Sequence, residues 1–238
     1  MKALLLAAGL GTRLRPLTDH QPKALVQVNN HTLLERNLIY LRKFGVNDVI
    51  INVHHFASMI EGAVEQNNGY GSNVTISDER NEVLETGGGL KKALSFFAGE
   101  ETFVVMNVDI LTNLDLGKMI AAHQNMGCIA TLAVMQRASS RQFLFNGQMQ
   151  LCGWINNNTK EERISRGGQE VQPFAFSGIQ VLSRKIWDEI RFEGKFSLVD
   201  VYLDVARRED IYGYDHTGDH FIDVGKPESI RAAEDVFM

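Results

Sequence analysis

A segment near the start of the chain combines glycines with cationic side chains in a way that suits phosphate binding. An apolar run ends at Gly9 and Gly11, Arg13 follows, and Lys23 stands directly after a proline. Backbone N–H groups at glycines can approach phosphate oxygens closely, because no side chain intervenes. Arg13 adds a planar cation that matches phosphate oxygens, and Lys23 adds a point charge. The loop is neither a dinucleotide fingerprint, whose third glycine is Leu14 here, nor a P-loop ending in Gly-Lys-Ser/Thr.

A second glycine-rich segment, Glu-Thr-Gly-Gly-Gly at residues 85–89, comes directly before a run with helical spacing. Glycines at the start of a helix allow close backbone approach, and the positive end of the helix dipole favours an anion there. A flexible turn that caps the helix is the alternative interpretation of this segment.

Two aspartates follow apolar runs at separate places in the chain. Asp109 comes after the run 103–108, and Asp223 stands between Ile222 and Val224. A lone carboxylate at the end of a strand is often only a turn former. Magnesium, however, takes hard oxygen ligands and is usually held by one or two carboxylates together with substrate phosphates. The pair therefore predicts a Mg²⁺ site formed by Asp109 and Asp223.

The elements that must position these residues alternate between strands and helices. Strands are predicted over 2–8, 49–53, 74–77, 103–107, 129–135 and 174–182, with a hairpin at 143–151 and a strand end at 222–225. Helices are predicted over 32–44, 57–66, 89–97, 185–190 and 198–207, with one more after 225, while 156–169 reads as irregular. The alternation indicates an α/β fold with a Rossmann-like, mixed, mostly parallel sheet flanked by helices. Ligands of such sheets lie beyond the carboxyl ends of the strands, which brings Gly9 and Asp109 to one edge.

The bulk composition fits one globular domain over residues 1–238. Hydrophobic residues make up 44% and charged residues 22%, and the formal net charge is −5. That charge gives no general attraction for nucleic acid or anionic lipid, so phosphate binding requires a local group of cations. Cys128 and Cys152 form no metal or redox motif and are expected to be reduced thiols. The apolar run 3–8 is too short to span a membrane, and we expect a cytoplasmic protein.

Residues 3–25 resemble the signature of the sugar-1-phosphate nucleotidyltransferases, Leu-x-Ala-Gly-x-Gly-Thr-Arg-Leu-x-Pro-Leu-Thr followed by Pro-Lys. The resemblance implies a nucleotide-diphospho-sugar transferase, GT-A-like fold and a magnesium-dependent reaction. It implies a nucleotide-binding half over 1–127 and a sugar-phosphate-binding half over 128–238. It assigns catalytic roles to Arg13 and Lys23, and nucleotide contacts to Ala8, Gly9, Gly11, Thr12 and Arg13.

The form Glu-Thr-Gly-Gly-Gly-x-x-Lys-Ala-Leu at residues 85–94 is similar to N-acetylmuramate 1-phosphate uridylyltransferases and to some mannose- and heptose-1-phosphate guanylyltransferases. This similarity implies further site residues: Gly87, Gly88 and Glu79 for the nucleotide, and Glu85, Thr86 and Gly178 for the sugar phosphate. It also supports Asp109 and Asp223 as metal ligands, although Asn107-Val108 departs from the pattern before the first of them. The Glu-Lys-Pro triplet that many relatives carry for the sugar is missing, and the segment 154–168 has diverged, which leaves the sugar open.

We therefore expect transfer of a nucleotidyl group from a nucleoside triphosphate to a sugar 1-phosphate, with UTP and N-acetylmuramate 1-phosphate or a related sugar favoured. The partners are these two substrates, without nucleic acid or membrane, and the protein is expected to be a monomer or a small homo-oligomer. Alternatives are a GTP-dependent mannose- or heptose-1-phosphate guanylyltransferase and a phosphocholine cytidylyltransferase, with an aromatic cage from Trp154, Phe174 and Phe176. A nucleotide-sugar sensor is a non-enzymatic alternative, disfavoured because Arg13, Lys23, Asp109 and Asp223 are all present.

Overall fold

The computed structural model describes residues 1–237, and a ten-stranded mixed sheet forms its centre. The strands are β1 Lys2–Leu6, β2 Gln27–Val28, β3 His31–Thr32, β4 Asp48–Val53, β5 Asn73–Asp78, β6 Thr102–Asn107, β7 Ile110–Thr112, β8 Ala130–Met135, β9 Arg141–Phe145, β10 Leu151–Asn156, β11 Glu162–Ile164, β12 Gln172–Ser183, β13 Ile211–Asp215 and β14 Phe221–Asp223. The helices are α1 Leu33–Lys43, α2 Ala57–Gln66, α3 Glu85–Ala93, α4 Leu116–Met126, α5 Ile186–Glu189, α6 Leu198–Val205 and α7 Pro227–Val236. Short 3₁₀ turns, among them Thr12–Leu14 and Lys23–Leu25, lie in the segment that follows β1 and carries Gly9, Gly11, Arg13 and Lys23, called the first loop below.

The sheet order is β11-β10-β9-β12-β6-β1-β4-β5, and β8 pairs with both β12 and β13. β1, β4, β5 and β6 are parallel, and β12 is antiparallel to β6. β8 is antiparallel to β12 and parallel to β13, so it runs in the same direction as β1 and β6. The carboxyl ends of β1, β6 and β8 therefore lie at one edge of the sheet.

Side chains of β1 show how the core is divided into two layers. Leu4 and Leu6 point into a cluster that contains side chains of α3 and α6, whereas Ala3 and Leu5 point into a cluster that contains side chains of α1, α2 and α4. This alternation is the period-2 pattern of a strand buried on both faces. The result is a sheet between two helical layers, which confirms the predicted α/β class and the mostly parallel sheet.

Most predicted elements are present, and the differences have local causes. The helix predicted over 89–97 begins at Glu85 and ends at Ala93, where a 3₁₀ turn over Leu94–Phe97 follows, so Gly87 and Gly88 lie inside the helix rather than before it. The segment 156–169 was expected to be irregular but contains β11, which pairs with β10. The pair β2–β3, the strands β7 and β13 and the helix α4 were not predicted, whereas the strand end predicted at 222–225 is β14, which pairs with β7. Each of these strands has at most five residues, too few for a periodic pattern to be decisive.

The remaining structural expectations concern cysteines and membranes. Cys128 and Cys152 are buried free thiols, as predicted. Within residues 1–237, none of the helices has the length and apolar character that crossing a membrane requires.

Candidate active site

A cleft of about 410 Å³ opens at the carboxyl edge of β1 and β6. Nine of the residues singled out from the sequence line it: Ala8, Gly9, Gly11, Thr12, Arg13, Lys23, Glu85, Thr86 and Asp109. Glu79, Gly87, Gly88, Gly178 and Asp223 do not line this cavity and lie beneath or beside it. Sequence reasoning missed other lining residues, including Asn52, Val83, Asn107, Ser197 and Gly225.

Glycine suits positions 9 and 11 of the first loop for two different structural reasons. Gly11 has a φ of +63°, and a Cβ there would lie 3.0 Å from Cγ2 of Thr18. Its carbonyl accepts hydrogen bonds from the Thr18 hydroxyl at 2.8 Å and from the Leu14 amide at 2.9 Å, which close the turn. At Gly9, by contrast, an added Cβ would have no atom within 4 Å apart from those of Gly9 and its two chain neighbours. Gly11 is thus required by the turn itself, whereas the open space at Gly9 is available to a ligand.

Asn52, at the end of β4, holds the start of the loop in place. Its Oδ1 accepts hydrogen bonds from the amides of Ala7 at 2.7 Å and Ala8 at 3.3 Å. Its Nδ2 donates to Oε1 of Glu79 at 2.9 Å. A polar side chain inside an otherwise apolar buried strand must find partners, and this signal in residues 49–53 could have identified Asn52 from the sequence.

Glu79 was predicted to contact the nucleotide base. Only 2% of its surface is exposed, and its carboxylate also accepts from the amide of Leu84 at 3.3 Å. The structure therefore gives Glu79 a supporting position behind Asn52 and the second loop, and a direct base contact stays a prediction.

The second glycine-rich segment, residues 85–89 (the second loop), is hydrogen-bonded to residues in the second half of the chain. The amides of Gly87 and Gly88 donate to the carbonyl of Phe196 over 2.9 and 3.3 Å, and the Leu198 amide donates to Oγ1 of Thr86 at 2.9 Å. The amides that a bare helix N-terminus would offer to a phosphate are thus already used at these two glycines. Glu85 and Thr86 face the cleft, so contact with substrates remains a prediction for the loop as a whole.

The two aspartates expected to bind metal come together beside the cations. Asp223 of β14 pairs in register with Ile110 of β7, and the Val224 amide donates to the carbonyl of Asp109 at 2.8 Å. Lys23 forms an ion pair with Asp109. A Cβ on Gly225 would lie 2.7 Å from Oδ1 of Asp223 and 2.9 Å from Nη2 of Arg13, so this glycine allows the two groups to approach each other.

The electrostatics of Asp223 suit a cation site. Although part of Asp223 is exposed, the pKa of its carboxyl is raised, first by burial and then by the negative charge of Asp109. Lys23, Arg13 and Arg137 act in the opposite direction. Asp223, with the carboxylate of Asp109 as its charged neighbour, forms a hard-oxygen donor pair that fits a magnesium ion.

Gly178 lies where the register between β12 and β8 shifts, and its φ is +71°. A Cβ there would be 2.8 Å from Ile110 and 2.9 Å from Nδ2 of Asn107, which lines the cleft. Gly178 therefore brings β12 against the floor of the cleft, and its predicted contact with a sugar remains a prediction.

The aromatic cage considered for a quaternary ammonium does not form around the cleft. Phe174 is buried and packs against Phe145, and Phe176 packs edge-on against Phe143. Neither ring, nor that of Trp154, lines the cavity described above. The structure gives no support to a phosphocholine acceptor.

Comparison with known proteins agrees with this arrangement. The nucleotidyl transferase family matches residues 2–145. The chain is 32% identical to the N-acetylmuramate alpha-1-phosphate uridylyltransferase of Caulobacter vibrioides, over 98% of this chain and 95% of that protein. It is 28% identical to the D-glycero-alpha-D-manno-heptose 1-phosphate guanylyltransferase of Aneurinibacillus thermoaerophilus, over 98% and 97% of the two chains.

Among solved structures, HddC of Yersinia pseudotuberculosis complexed with GMP-PN is similar, with a TM-score of 0.79 and 26% identity. The similarity covers 100% of this chain and 99% of that one. The structural likeness confirms the predicted GT-A-like fold of nucleotide-diphospho-sugar transferases.

Proposed function

The chain belongs to the sugar-1-phosphate nucleotidyltransferase family, and from that premise we propose that it transfers the uridylyl group of UTP to N-acetylmuramate 1-phosphate or a related sugar 1-phosphate. The observation that carries the proposal is the single cleft in which the glycine loop, Arg13, Lys23 and Asp109 meet. The choice of uridine and of the acceptor is supported by the 32% identity to a uridylyltransferase along nearly the whole chain.

The proposed reaction is an in-line displacement at the α-phosphorus. An oxygen of the sugar phosphate forms a new bond to that phosphorus while the bond to the bridging oxygen of the β-phosphate breaks. The electron pair leaves with pyrophosphate. No covalent enzyme intermediate is required, because the attacking phosphate is already anionic, and catalysis is mostly positioning and charge stabilisation.

In the proposed complex, different residues of the first loop bind different phosphates. The backbone around Gly9 and Gly11, with Thr12, surrounds the triphosphate. Arg13 stabilises the β- and γ-phosphates and the leaving pyrophosphate, because a guanidinium can donate two parallel hydrogen bonds to phosphate oxygens. Lys23 serves the α-phosphate and the attacking phosphate, since it lies beside Asp109 on the floor of the cleft.

Asp109 and Asp223 would hold a magnesium ion, which supplies positive charge to the phosphate oxygens when bound. The hydrogen bond from the Val224 amide to the Asp109 carbonyl holds Asp109, in the turn between β6 and β7, beside Asp223 at the end of β14. This arrangement prepares the site before substrates arrive.

Transfer of a guanylyl group is the second candidate. It is favoured by the heptose 1-phosphate guanylyltransferase relative and by the likeness to HddC, which was solved with GMP-PN. Both proposals share the first loop and the aspartates, so they differ only in the base and the acceptor.

The test is pyrophosphate release with magnesium, with each of the four nucleoside triphosphates offered against a panel of sugar 1-phosphates. The panel includes N-acetylmuramate, N-acetylglucosamine, mannose and heptose 1-phosphates. Release with UTP and N-acetylmuramate 1-phosphate supports the proposal. Release with GTP and mannose or heptose 1-phosphate replaces it with the second candidate, and silence with every pair contradicts both.

A further inference from the structure

Arg137 is a cation that the mechanism above does not use. It follows β8, at the same edge of the sheet as the first loop and Asp109. Its Nη2 donates to the carbonyl of Phe176 at 2.9 Å, and its guanidinium carbon lies 4.6 Å from the centre of the Phe221 ring. Its Nε is buried and has no hydrogen-bond partner among residues 1–237.

The surroundings hold this guanidinium in a defined place. Phe176 precedes the register shift of β12, and the next residue, Ser177, is fully buried and bonded to Nε2 of His216 at 2.7 Å. The amide of Gln136 donates to Oγ1 of Thr217 at 2.8 Å. A guanidinium between a fixed carbonyl and an aromatic face loses little conformational freedom when it binds an anion.

The electrostatics leave the charge of Arg137 uncompensated at close range. Arg137 takes part in no ion pair within residues 1–237. The arginines that form ion pairs there are Arg15, Arg80, Arg163, Arg166 and Arg208. Burial lowers the pKa of Arg137, while the negative charge of Asp223 raises it. A partly desolvated guanidinium without a paired carboxylate is stabilised by an anion that reaches its remaining Nη donors.

The position of Arg137 in the sheet indicates which anion this is. β8 is separated from β1 by β6 and β12, which at the usual strand spacing amounts to about 14 Å. That is too far for the phosphates surrounded by the first loop. Between the two lie Asp109 and Asp223, where the α-phosphate and the attacking group must meet.

We propose that Arg137 binds the phosphate of the acceptor sugar 1-phosphate and orients it for attack. This inference rests on the proposed function, and it adds a residue from the second half of the chain to the site. Nη1, which has no hydrogen-bond partner within residues 1–237, and the second hydrogen of Nη2 can donate to two phosphate oxygens in the bidentate manner typical of arginine.

The test compares wild type with Arg137→Gln, Arg137→Lys and the control Arg184→Gln. Arg184 is exposed at the opposite edge of the sheet and also lies on an aromatic ring, 5.2 Å from that of Trp187. Binding of N-acetylmuramate 1-phosphate and N-acetylglucosamine 1-phosphate is measured by calorimetry, and KM is measured for acceptor and triphosphate. We expect Arg137→Gln to weaken acceptor binding by roughly 10- to 100-fold, the loss expected for a charge-assisted hydrogen-bonding pair.

The triphosphate KM should change less than about twofold, Arg137→Lys should recover part of the loss, and Arg184→Gln should behave as wild type. An unchanged triphosphate KM also shows that the variant is folded. Equal acceptor affinity in wild type and Arg137→Gln would overturn the inference and leave the proposed function standing. A defect confined to N-acetylmuramate 1-phosphate, which alone carries a sugar carboxylate, would overturn the assignment to the phosphate. Failure of the wild type to bind or turn over either acceptor would contradict the proposed function and the inference together.

Discussion

Gly88 faces the carbonyl oxygen of Gly194 so closely that a Cβ on Gly88 would lie 2.4 Å from that oxygen. Residues 194–198 therefore pack directly on the backbone of α3. These two segments together form one side of the cleft. The glycine is needed for this packing, independently of any contact that the loop makes with a substrate.

Gly88→Ala is expected to lower the free energy of unfolding by about 1–3 kcal/mol, because backbone atoms must move to admit the methyl group. Gly62→Ala is the matched control on a helix. Gly62 lies inside α2 with nothing within 4 Å of a built Cβ, so the substitution should stabilise by about 0.5–1 kcal/mol. Urea denaturation of both variants measures the difference. If Gly88→Ala proved as stable as Gly62→Ala, residues 194–198 would have to move away from the added methyl group without a cost in stability.

Arg13→Ala is expected to reduce turnover by about 100-fold or more, the loss typical of removing one preorganised charge donor. Arg15→Ala is the control: its side chain is 67% exposed and pairs with Asp19 at 3.2 Å. Initial rates of pyrophosphate release at saturating substrates compare the two. Similar rates in the two variants would remove Arg13 from the mechanism.

Asp109→Asn and Asp223→Asn should each remove most of the magnesium-dependent turnover, because an amide is a weaker ligand than a carboxylate for a hard cation. The measurement is the rate as a function of magnesium concentration. An unchanged magnesium dependence in either variant would remove that aspartate from the metal site.

The same Asp223→Asn variant should be more stable than wild type at neutral pH when divalent cations are chelated. The folded protein raises the pKa of the Asp223 carboxyl above its unfolded value, so proton binding favours the folded state. The stabilising contribution of this carboxyl to the wild type is therefore lost as the pH rises from about 4, the usual pKa of an aspartate, through the raised pKa of the folded state. Urea denaturation at several pH values should show a difference that disappears near pH 4. A difference that grows towards acid pH would contradict the direction of this shift.

Asn52→Ala should lower the free energy of unfolding by about 2–5 kcal/mol, since it leaves the Ala7 and Ala8 amides and the Glu79 carboxylate without their shared partner. Triphosphate affinity should fall too, because the start of the first loop is released. Asn73→Ala is the control, since exposed Asn73 only donates to Asp48 at 3.0 Å and its loss should cost less than about 0.5 kcal/mol. Thermal and chemical denaturation measure the stability of both variants. Equal losses of stability in Asn52→Ala and Asn73→Ala would show that the Asn52 contacts contribute no more than an exposed hydrogen bond.

The parts of the site that are local in sequence could be predicted from the sequence. Gly11 and Arg13 stand within one turn of each other, so their types and spacing already describe the loop. Asp109 could be placed because it follows a strand whose apolar run is unmistakable. In each case the physical cause of the structure is contained in a few consecutive residues.

Contacts between distant segments could not be predicted in this way. Intrinsic propensity places glycines outside a helix, yet α3 begins at Glu85 because residues 196–198 bond to its first turn. Arg137 shows no motif, and its relevance follows only from the way β8 joins the sheet beside β12. Such placements depend on the topology, and no window of the sequence contains them.

The position of β12 bears on how the chain is made. β12 lies directly beside β6, although 64 residues separate the end of one strand from the start of the other when counted between Asn107 and Gln172. During synthesis, β6 is an open edge with apolar neighbours until residues 172–183 have left the ribosome. We therefore expect a nascent chain that ends at residue 127 to recruit chaperones and to resist isolation as a separate nucleotide-binding fragment.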